Sequence, residues 1–513
     1  MNNNDFVSIN DVAFEDLLKS SVPYEPPEEI VKVVTPWKKA IRRVLAGLAL
    51  NTLTLNLFYL NFILPLIGTA LSILGLRVLR NETKWFKAYY IFTIIREGYF
   101  LFTLALNATI SLREMIPQAV LVTVNLIMTL LNILFFCASL YSAEKKAGTQ
   151  LKKLPMVAFV LWYLVLAFLG VINYNGFIIP WVMIIGFIII LVSLNKISKE
   201  IDSIGYNIEN APVKVNDKAL VSVLVATLVI GLGVGYAFGG SYLMKWEEKD
   251  INEHSQVQEV KDELIGLGFP EKVLDDMTAE DILSCQGATK VVVYENTVPF
   301  NDDTRVVTVT EQKTPYFSST YDKTIHDVEE MTITGVGVYF GDGENGFDGT
   351  WNIIHHFCWD INPGFYGTES IQLWPSYGER YKTWYSDGKV SGRVLYTKDG
   401  IDYVAPYYSL GDETYTSDTI IWGQQTNTDI FAAFSLPNDG EKQRGYIAYT
   451  IEDNSSEDNH VIDSWFNYTH QESFLQYPAI TAKKARQSGF FNDFPFRTQQ
   501  ETLQIWDDHE LIK

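Results

Sequence analysis

The sequence is poor in cysteine and in the spacings that hold metals or phosphates. Its 513 residues include three cysteines, Cys137, Cys285 and Cys358, which excludes a small scaffold built on disulfides. A single bridge between Cys285 and Cys358 and two buried thiols are the alternative interpretations. We find no phosphate-binding glycine loop, zinc-type Cys/His spacing or G-x-S-x-G elbow. The sequence therefore offers no energy-coupling motif and no catalytic motif of these kinds.

Basic residues are scarce in the second half of the chain. Residues 246–513 contain 19 Lys and Arg against 46 Asp and Glu, a net charge of −27, whereas residues 1–245 carry a net charge of +6. Such an asymmetry marks a domain boundary near residue 245. It argues against nucleic acid as a partner of the acidic half and favours cations or basic partners.

The first half contains long apolar runs. They cover residues 44–76, 88–106, 116–140, 155–172, 177–194 and 219–243. Each is close to or above the roughly 20 residues that a helix needs to cross a bilayer. We therefore predict a membrane domain at residues 41–245 that contacts lipid, preceded by a cytosolic tail at residues 1–40.

Basic clusters predict the orientation of these helices. They flank the first run on both sides and follow the third and fifth runs, which by the positive-inside rule places all of them in the cytoplasm. Because both ends of residues 44–76 carry such clusters, we predict a hairpin of two short helices, broken near residues 64–68 at Pro65. The prediction is then about seven helices in a plasma membrane, with a cytoplasmic N-terminus.

The acidic half has the pattern of a β-rich domain. Residues 246–287 show helical periodicity and are predicted to form a helical linker. From residue 288 onward, short β-type segments alternate with Gly, Asp, Asn and Pro turns, which is typical of an antiparallel sandwich or jelly roll. We predict an extracellular all-β sandwich at residues 288–513, with a partly helical C-terminal tail.

Two charged residues interrupt the second apolar run. Arg96 and Glu97 lie near its middle, and charges inside a membrane domain indicate a functional site or a buried partner. Neighbours in a helix point about 100° apart, so the two side chains do not simply neutralise each other. The alternatives to a functional site are that Arg96 pairs with a carbonyl or an asparagine of an adjacent helix, or that this helix lies partly in the membrane interface.

The outer domain offers three kinds of candidate site. A predicted loop at residues 374–385 presents flat aromatic faces for sugars or peptides, from Trp374, Tyr377, Tyr381, Trp384 and Tyr385. A glycine-rich turn at residues 341–349 presents calcium-type ligands, Asp342, Glu344 and Asp348, or is a plain acidic hairpin turn. We expect no cofactor other than this calcium.

The third kind of candidate site consists of carboxylates and histidines of the outer domain. Asp360, Glu369 and Glu413 are candidates for a pair that cleaves glycosides, provided that two of them face each other. His355 and His356 are adjacent in a predicted strand, so they point to opposite faces and cannot bind one ion together. We expect a structural or surface role for these histidines.

Three segments resemble segments of uncharacterised multi-pass membrane proteins of Gram-positive, Clostridia-type bacteria. They are LPLIGTALSILGLRVLRNETKWFK at residues 64–87, IGLGFPEKVLDDMTAEDIL at residues 265–283 and NPGFYGTESIQLWP at residues 362–375. The resemblance implies a bacterial plasma membrane with the β domain on its outer surface. It implies no catalytic residue.

Two functions are consistent with these patterns. The first is a non-enzymatic surface receptor, or an auxiliary subunit of a transport or envelope system, with a transporter or envelope protein as its partner. The large outer module and the missing energy-coupling motif favour it. The alternative is a membrane enzyme that acts on envelope sugars or lipids, which requires the facing carboxylates.

Overall fold

The protein forms two compact units. The computed structural model describes residues 36–52, 59–172, 174, 176–204, 206, 208–209, 211–250, 255–300, 303–314, 317–327, 330–341, 350–374, 384–419, 423–453, 462–473, 476–488 and 495–505. The first unit, here the helical unit, comprises Met1–Ala105 and Ile116–Leu232. The second, the β unit, comprises Leu106–Met115 and Gly233–Lys513.

The first half of the chain is helical. Its long helices are α1 (Pro36–Thr52), α2 (Leu60–Leu79), α3 (Lys84–Asn107), α5 (Gln118–Ala147), α6 (Lys153–Val171), α7 (Ile178–Ser203) and α8 (Asp217–Gly239), and a short helix, α4 (Ser111–Met115), lies between α3 and α5. Within the described residues, five of them are long and apolar enough to cross a membrane: α2, α5, α6, α7 and α8. The prediction of several apolar helices in this half is thus confirmed.

Helices α1 and α2 form the predicted hairpin, but the predicted position of its break is wrong. Gly47 of α1 lies against Gly68 of α2, and Ala40 lies against Gly75, which makes the two helices antiparallel. Helix α1 ends at Thr52 and α2 begins at Leu60, so Pro65 lies inside α2. A proline removes one backbone donor from a helix, and a helix buried against its neighbours tolerates that loss.

The β unit contains two antiparallel sheets of seven and five strands. Sheet one has the order β1-β9-β8-β12-β6-β5-β2, and sheet two has the order β10-β11-β7-β13-β14. The strands are β1 (Glu247–Glu248), β2 (Lys290–Pro299), β3 (Asp303–Thr314), β4 (Phe317–Asp327), β5 (Glu330–Phe340), β6 (Thr350–Trp359), β7 (Glu369–Trp374), β8 (Trp384–Lys398), β9 (Ile401–Pro406), β10 (Ser409–Thr419), β11 (Gly423–Phe434), β12 (Glu441–Asp453), β13 (Ile462–Gln471) and β14 (Phe496–Ile505). Strands β3 and β4 pair separately as a two-stranded hairpin.

Alternate residues of the two sheets form one apolar core. On β6, Trp351, Ile353 and Phe357 belong to this core, and on β7 so do Ile371 and Leu373. Side chains between them point to the opposite face of each strand. The alternation of side chains along each strand therefore determines which residues lie on the outer face of each sheet.

The segment predicted as a linker is part of the β unit. Three helices, α9 (Ser255–Gly266), α10 (Glu271–Asp276) and α11 (Ala279–Leu283), follow β1. Their apolar residues share a second core with the outer face of sheet one, through Val336, Val338, Ile354 and Tyr446. Cys285 is buried in this layer and, like Cys358 on β6, is a free thiol.

Candidate functional site

The structure places the predicted aromatic residues partly in strands. Trp374 is the last residue of β7, and Trp384 and Tyr385 are the first residues of β8. The predicted loop is therefore shorter than residues 374–385. Tyr377 and Tyr381 lie outside the described residues, as do the calcium candidates Asp342, Glu344 and Asp348.

A short helix crosses the outer face of sheet two. Helix α12 (Ala482–Gln487) follows Thr481, whose hydroxyl accepts the backbone N–H of Lys484 and caps its first turn. Lys483 of α12 pairs with Glu413 of β10 at 2.7 Å, and Gln487 donates to the same carboxylate at 2.8 Å. These bonds hold α12 over the polar face of the sheet.

Arg486 of α12 is the central residue of this face. Its Nε donates to Oε1 of Gln372 on β7, and its guanidinium lies 6.0 Å from the ring centroid of Trp374. Only 6% of Arg486 is exposed, and this burial lowers its pKa to about 10. The side chain therefore stays cationic at neutral pH, against the face of a tryptophan.

A half-buried carboxylate completes the charge of the site. Gln372 donates through Nε2 to Oδ2 of Asp429 at 2.7 Å, and the Tyr415 hydroxyl donates to the same oxygen at 2.6 Å. Burial raises the pKa of Asp429, although the hydrogen bonds from Tyr415 and Gln372 and the charge of Arg486 act against this rise. Strands β7, β10 and β11 thus each contribute a polar side chain to one partly buried cluster.

Asn467 of β13 lies directly opposite Gln372 in the strand register. It is 1% exposed, and within the described residues neither its amide nitrogen nor its amide oxygen has a hydrogen-bond partner. Burying an amide with both groups unpaired is costly. We call Gln372, Trp374, Asp429, Asn467 and Arg486 the outer-face cluster. It combines an aromatic face, a cation and an unpaired amide.

The three predicted carboxylates do not meet. Asp360 accepts from the Thr332 hydroxyl at 2.6 Å, on the outer face of sheet one. Glu369 is in the core, where it pairs with Nδ1 of His470 at 2.7 Å, and Glu413 is on the outer face of sheet two. The described structure therefore contains no facing pair among these residues.

The two adjacent histidines point to opposite faces, as predicted. His355 contacts the Ser464 hydroxyl at 2.6 Å, and burial lowers the pKa of His355 to about 3, so that it is neutral. On the other face, Nε2 of His356 lies 2.9 Å from Oδ2 of Asp276 at the end of α10. Both histidines are structural in this arrangement.

Arg96 and Glu97 are buried in the helical unit. Arg96 donates from Nη2 to Oδ1 of Asn51 on α1 at 3.0 Å. This is the pairing with a neighbouring asparagine that the sequence analysis gave as an alternative. Glu97 is 3% exposed.

Of the outer-face cluster, the sequence predicted Trp374 as a candidate, but not Arg486, Asp429 or Asn467. No motif links them, because they lie on separate elements that only the strand order of sheet two brings together. The one available signal was the alternation of β7, which turns Gln372 and Trp374 away from the core. No protein-family model and no curated protein matches this chain.

Proposed function

We propose that this protein is a bacterial plasma-membrane receptor, or an auxiliary subunit of a transport or envelope system, whose extracellular β-sandwich binds a ligand or partner. In this proposal α1, α2, α3, α5, α6, α7 and α8 are the seven membrane helices. The N-terminus is cytoplasmic and the β unit is outside. The single observation that carries the binding function is the outer-face cluster.

The net charge of −27 in residues 246–513 disfavours anionic ligands in general, but the local chemistry of the cluster around Arg486 favours a saccharide with carboxylate groups. A tryptophan face stacks on the apolar face of a sugar ring, and an arginine pairs with a carboxylate through parallel hydrogen bonds. Asn467 adds a donor and an acceptor for hydroxyl groups. Because Asn467 and Arg486 are almost fully buried, the ligand reaches them from Trp374, the partly exposed member of the cluster, when side chains of this face move. Glycan or protein components of the cell envelope are the natural sources of such groups for a protein on the outer surface.

The alternative function, an enzyme that acts on envelope sugars or lipids, has less support. Cleavage of a glycoside requires two carboxyl groups on either side of the scissile bond. Asp360, Glu369 and Glu413 occupy three different layers of the β unit, as described above. We therefore retain the binding function.

We expect full-length protein in detergent to bind immobilised saccharides that contain uronic acid. Trp374→Ala and Asn467→Leu should each weaken this binding about tenfold or more, because each removes a contact of about 1.4 kcal/mol or more. Tyr321→Ala is the matched control, because Tyr321 is an exposed aromatic residue of the separate β3–β4 hairpin. Surface plasmon resonance on saccharides with and without the carboxylate measures the effect. Wild-type binding that neither variant weakens would contradict the proposal, as would the absence of any binding.

Cysteine labelling tests the proposed topology. Asn81 is exposed between α2 and α3, and Asp399 lies in the turn between β8 and β9. In cells that carry Cys358→Ala, a cysteine at position 399 should react with a membrane-impermeant maleimide, whereas one at position 81 should react only after permeabilisation. Reaction of position 81 in intact cells would place the α2–α3 connection outside and overturn the hairpin topology.

A further inference from the structure

The helical unit contains a second polar cluster, which the binding function above does not use. It comprises Asn51 of α1, Thr69 of α2, Arg96 and Glu97 of α3, and Asn132 of α5, all less than one-tenth exposed. Two hydrogen bonds connect its members, because Arg96 and the Thr69 hydroxyl both donate to Oδ1 of Asn51, each at 3.0 Å. The cluster therefore joins the α1–α2 hairpin to α3.

Several strong hydrogen-bonding groups of this cluster have no partner. Within the described residues, these groups are the donors Arg96 Nη1 and Asn51 Nδ2, and the acceptors Asn132 Oδ1 and both carboxylate oxygens of Glu97. Thr69 lies beside Glu97, but its hydroxyl bonds to Asn51 and to the Pro65 carbonyl. Buried polar groups are normally satisfied, so this concentration of unpaired atoms indicates a binding site.

The two charges of the site respond differently to burial. An ionised carboxylate without a hydrogen-bond donor is costly in an apolar interior, and it becomes neutral by taking up a proton. Arginine stays charged under the same conditions. Once Glu97 is protonated, Arg96 is a buried cation without its counter-charge, and the free donors Nη1 of Arg96 and Nδ2 of Asn51 are available to an anion.

We propose that Arg96 and Asn51 bind a small monovalent inorganic anion, and that Glu97 takes up a proton when the anion binds. Charge is conserved in this exchange, because the anion replaces the Glu97 carboxylate as the counter-charge of Arg96. The proton bonds to a Glu97 carboxylate oxygen, and no other bond is made or broken. Since the cluster is buried, a lipid headgroup does not reach it.

Among the residues that the structure describes, the other elements around the cluster provide no competing charge. From α3 itself the Tyr89 hydroxyl faces Arg96, from α5 Asn132 and Cys137 lie near Tyr89, and from α6 Tyr163 faces Arg96. All of these groups are neutral near neutral pH. Of the described groups that face the pair, Glu97 is therefore the one whose protonation controls the charge available to an anion.

Binding of radiolabelled chloride to full-length protein in lipid nanodiscs tests this proposal, at constant ionic strength with gluconate as the replacing anion. We expect saturable binding at mildly acidic pH. Above the pH at which Glu97 ionises, the affinity should fall by about tenfold for each pH unit, as linkage to one proton requires. In Glu97→Gln, which mimics the protonated state, chloride should bind with the same affinity at all pH values tested.

Two further variants complete the design. Arg96→Gln should weaken chloride binding by about tenfold to a hundredfold, because it removes a charge-assisted hydrogen bond. Glu144→Gln replaces another buried carboxylate of the same unit and should leave the pH dependence as in the wild type. If the Arg96→Gln variant does not insert into the membrane, the pH dependence of chloride binding to Glu97→Gln alone tests the proposal. The absence of saturable chloride binding, or binding to Glu97→Gln that still depends on pH, would overturn the proposal.

Discussion

Replacing Asp276 with alanine should lower the free energy of unfolding of the β unit by about 3 kcal/mol. Asp276 is 3% exposed at the end of α10. It accepts a hydrogen bond from Nε2 of His356 at 2.9 Å and a bifurcated one from the single Nε–H of Arg444, which lies 2.9 Å from each carboxylate oxygen. Without the carboxylate, the side chains of Arg444 and His356 remain buried, but they lose the negative charge that offsets the cost of burying them. Arg444 keeps its ion pair with Asp402, in which Nη2 lies 2.8 Å from Oδ2. The expected loss of unfolding free energy is therefore at the lower end of the range for a broken buried pair.

The neighbouring aspartate provides a matched control. Asp275 is in the same helix, but its side chain is 57% exposed and lies 3.4 Å from Lys261. Lys261 is buried, but the Asp275 carboxylate is mainly in solvent, which weakens the pair, so Asp275→Ala should lower the free energy of unfolding less than Asp276→Ala does. Pulse proteolysis of the full-length protein across a urea gradient measures both variants. Equal shifts of the urea midpoint in the two variants would refute a specific role of the buried carboxylate.

The contribution of Asp276 should also depend on pH. Burial acts to raise the pKa of Asp276, but the hydrogen bond from His356 and the charge of Arg444 outweigh it, so the pKa is held below its usual range. A carboxyl group whose pKa is lowered by folding stabilises the protein above its unfolded-state pKa and loses that effect as the pH falls through its folded-state value. The stability difference between wild type and Asp276→Asn should therefore shrink in strong acid. A difference that stayed constant there would contradict the assignment.

Local patterns predict the elements of this fold better than their arrangement. Short β-type segments separated by turn residues are visible in the sequence from residue 288 onward, and this part of the chain does form antiparallel strands. The layer formed by α9, α10 and α11 was not predictable in the same way. Its amphipathic helices carry the signal for burial, but the sequence does not say which surface they cover.

The outer-face cluster was also only partly predictable from local sequence patterns. The aromatic character of residue 374 is a local property, so it could be recognised before the structure was known. The partners Arg486 and Asn467 lie on α12 and β13, and they meet Trp374 only through pairings between distant strands. Buried and unpaired atoms, which identify both candidate sites, are a property of packing and have no counterpart in sequence pattern.

Replacing Gly47 with leucine should destabilise the α1–α2 hairpin by about 3 kcal/mol, at the upper end for overpacking. A Cβ atom at this position would overlap the Gly68 carbonyl oxygen and the Ser72 hydroxyl, and would lie 2.9 Å from the Ser72 backbone nitrogen. These obstacles are mainly backbone, so a rotamer change cannot relieve them. Glycine permits this close approach of two helices, which lets packing and backbone contacts stabilise the pair.

Gly170→Leu on α6 is the matched control, because a Cβ atom at Gly170 meets no heavy atom within 4 Å among the described residues. Cysteines at Asn51 and Thr69, whose side chains are hydrogen-bonded across the hairpin at 3.0 Å, report its formation through oxidative cross-linking of the full-length protein in membranes. We expect efficient cross-linking in the otherwise unaltered protein and in Gly170→Leu, and strongly reduced cross-linking in Gly47→Leu. Pro65→Leu should cross-link normally, because the chain reverses before Leu60. Loss of cross-linking in Pro65→Leu would instead show that the proline is needed for the reversal, as the sequence pattern alone had indicated.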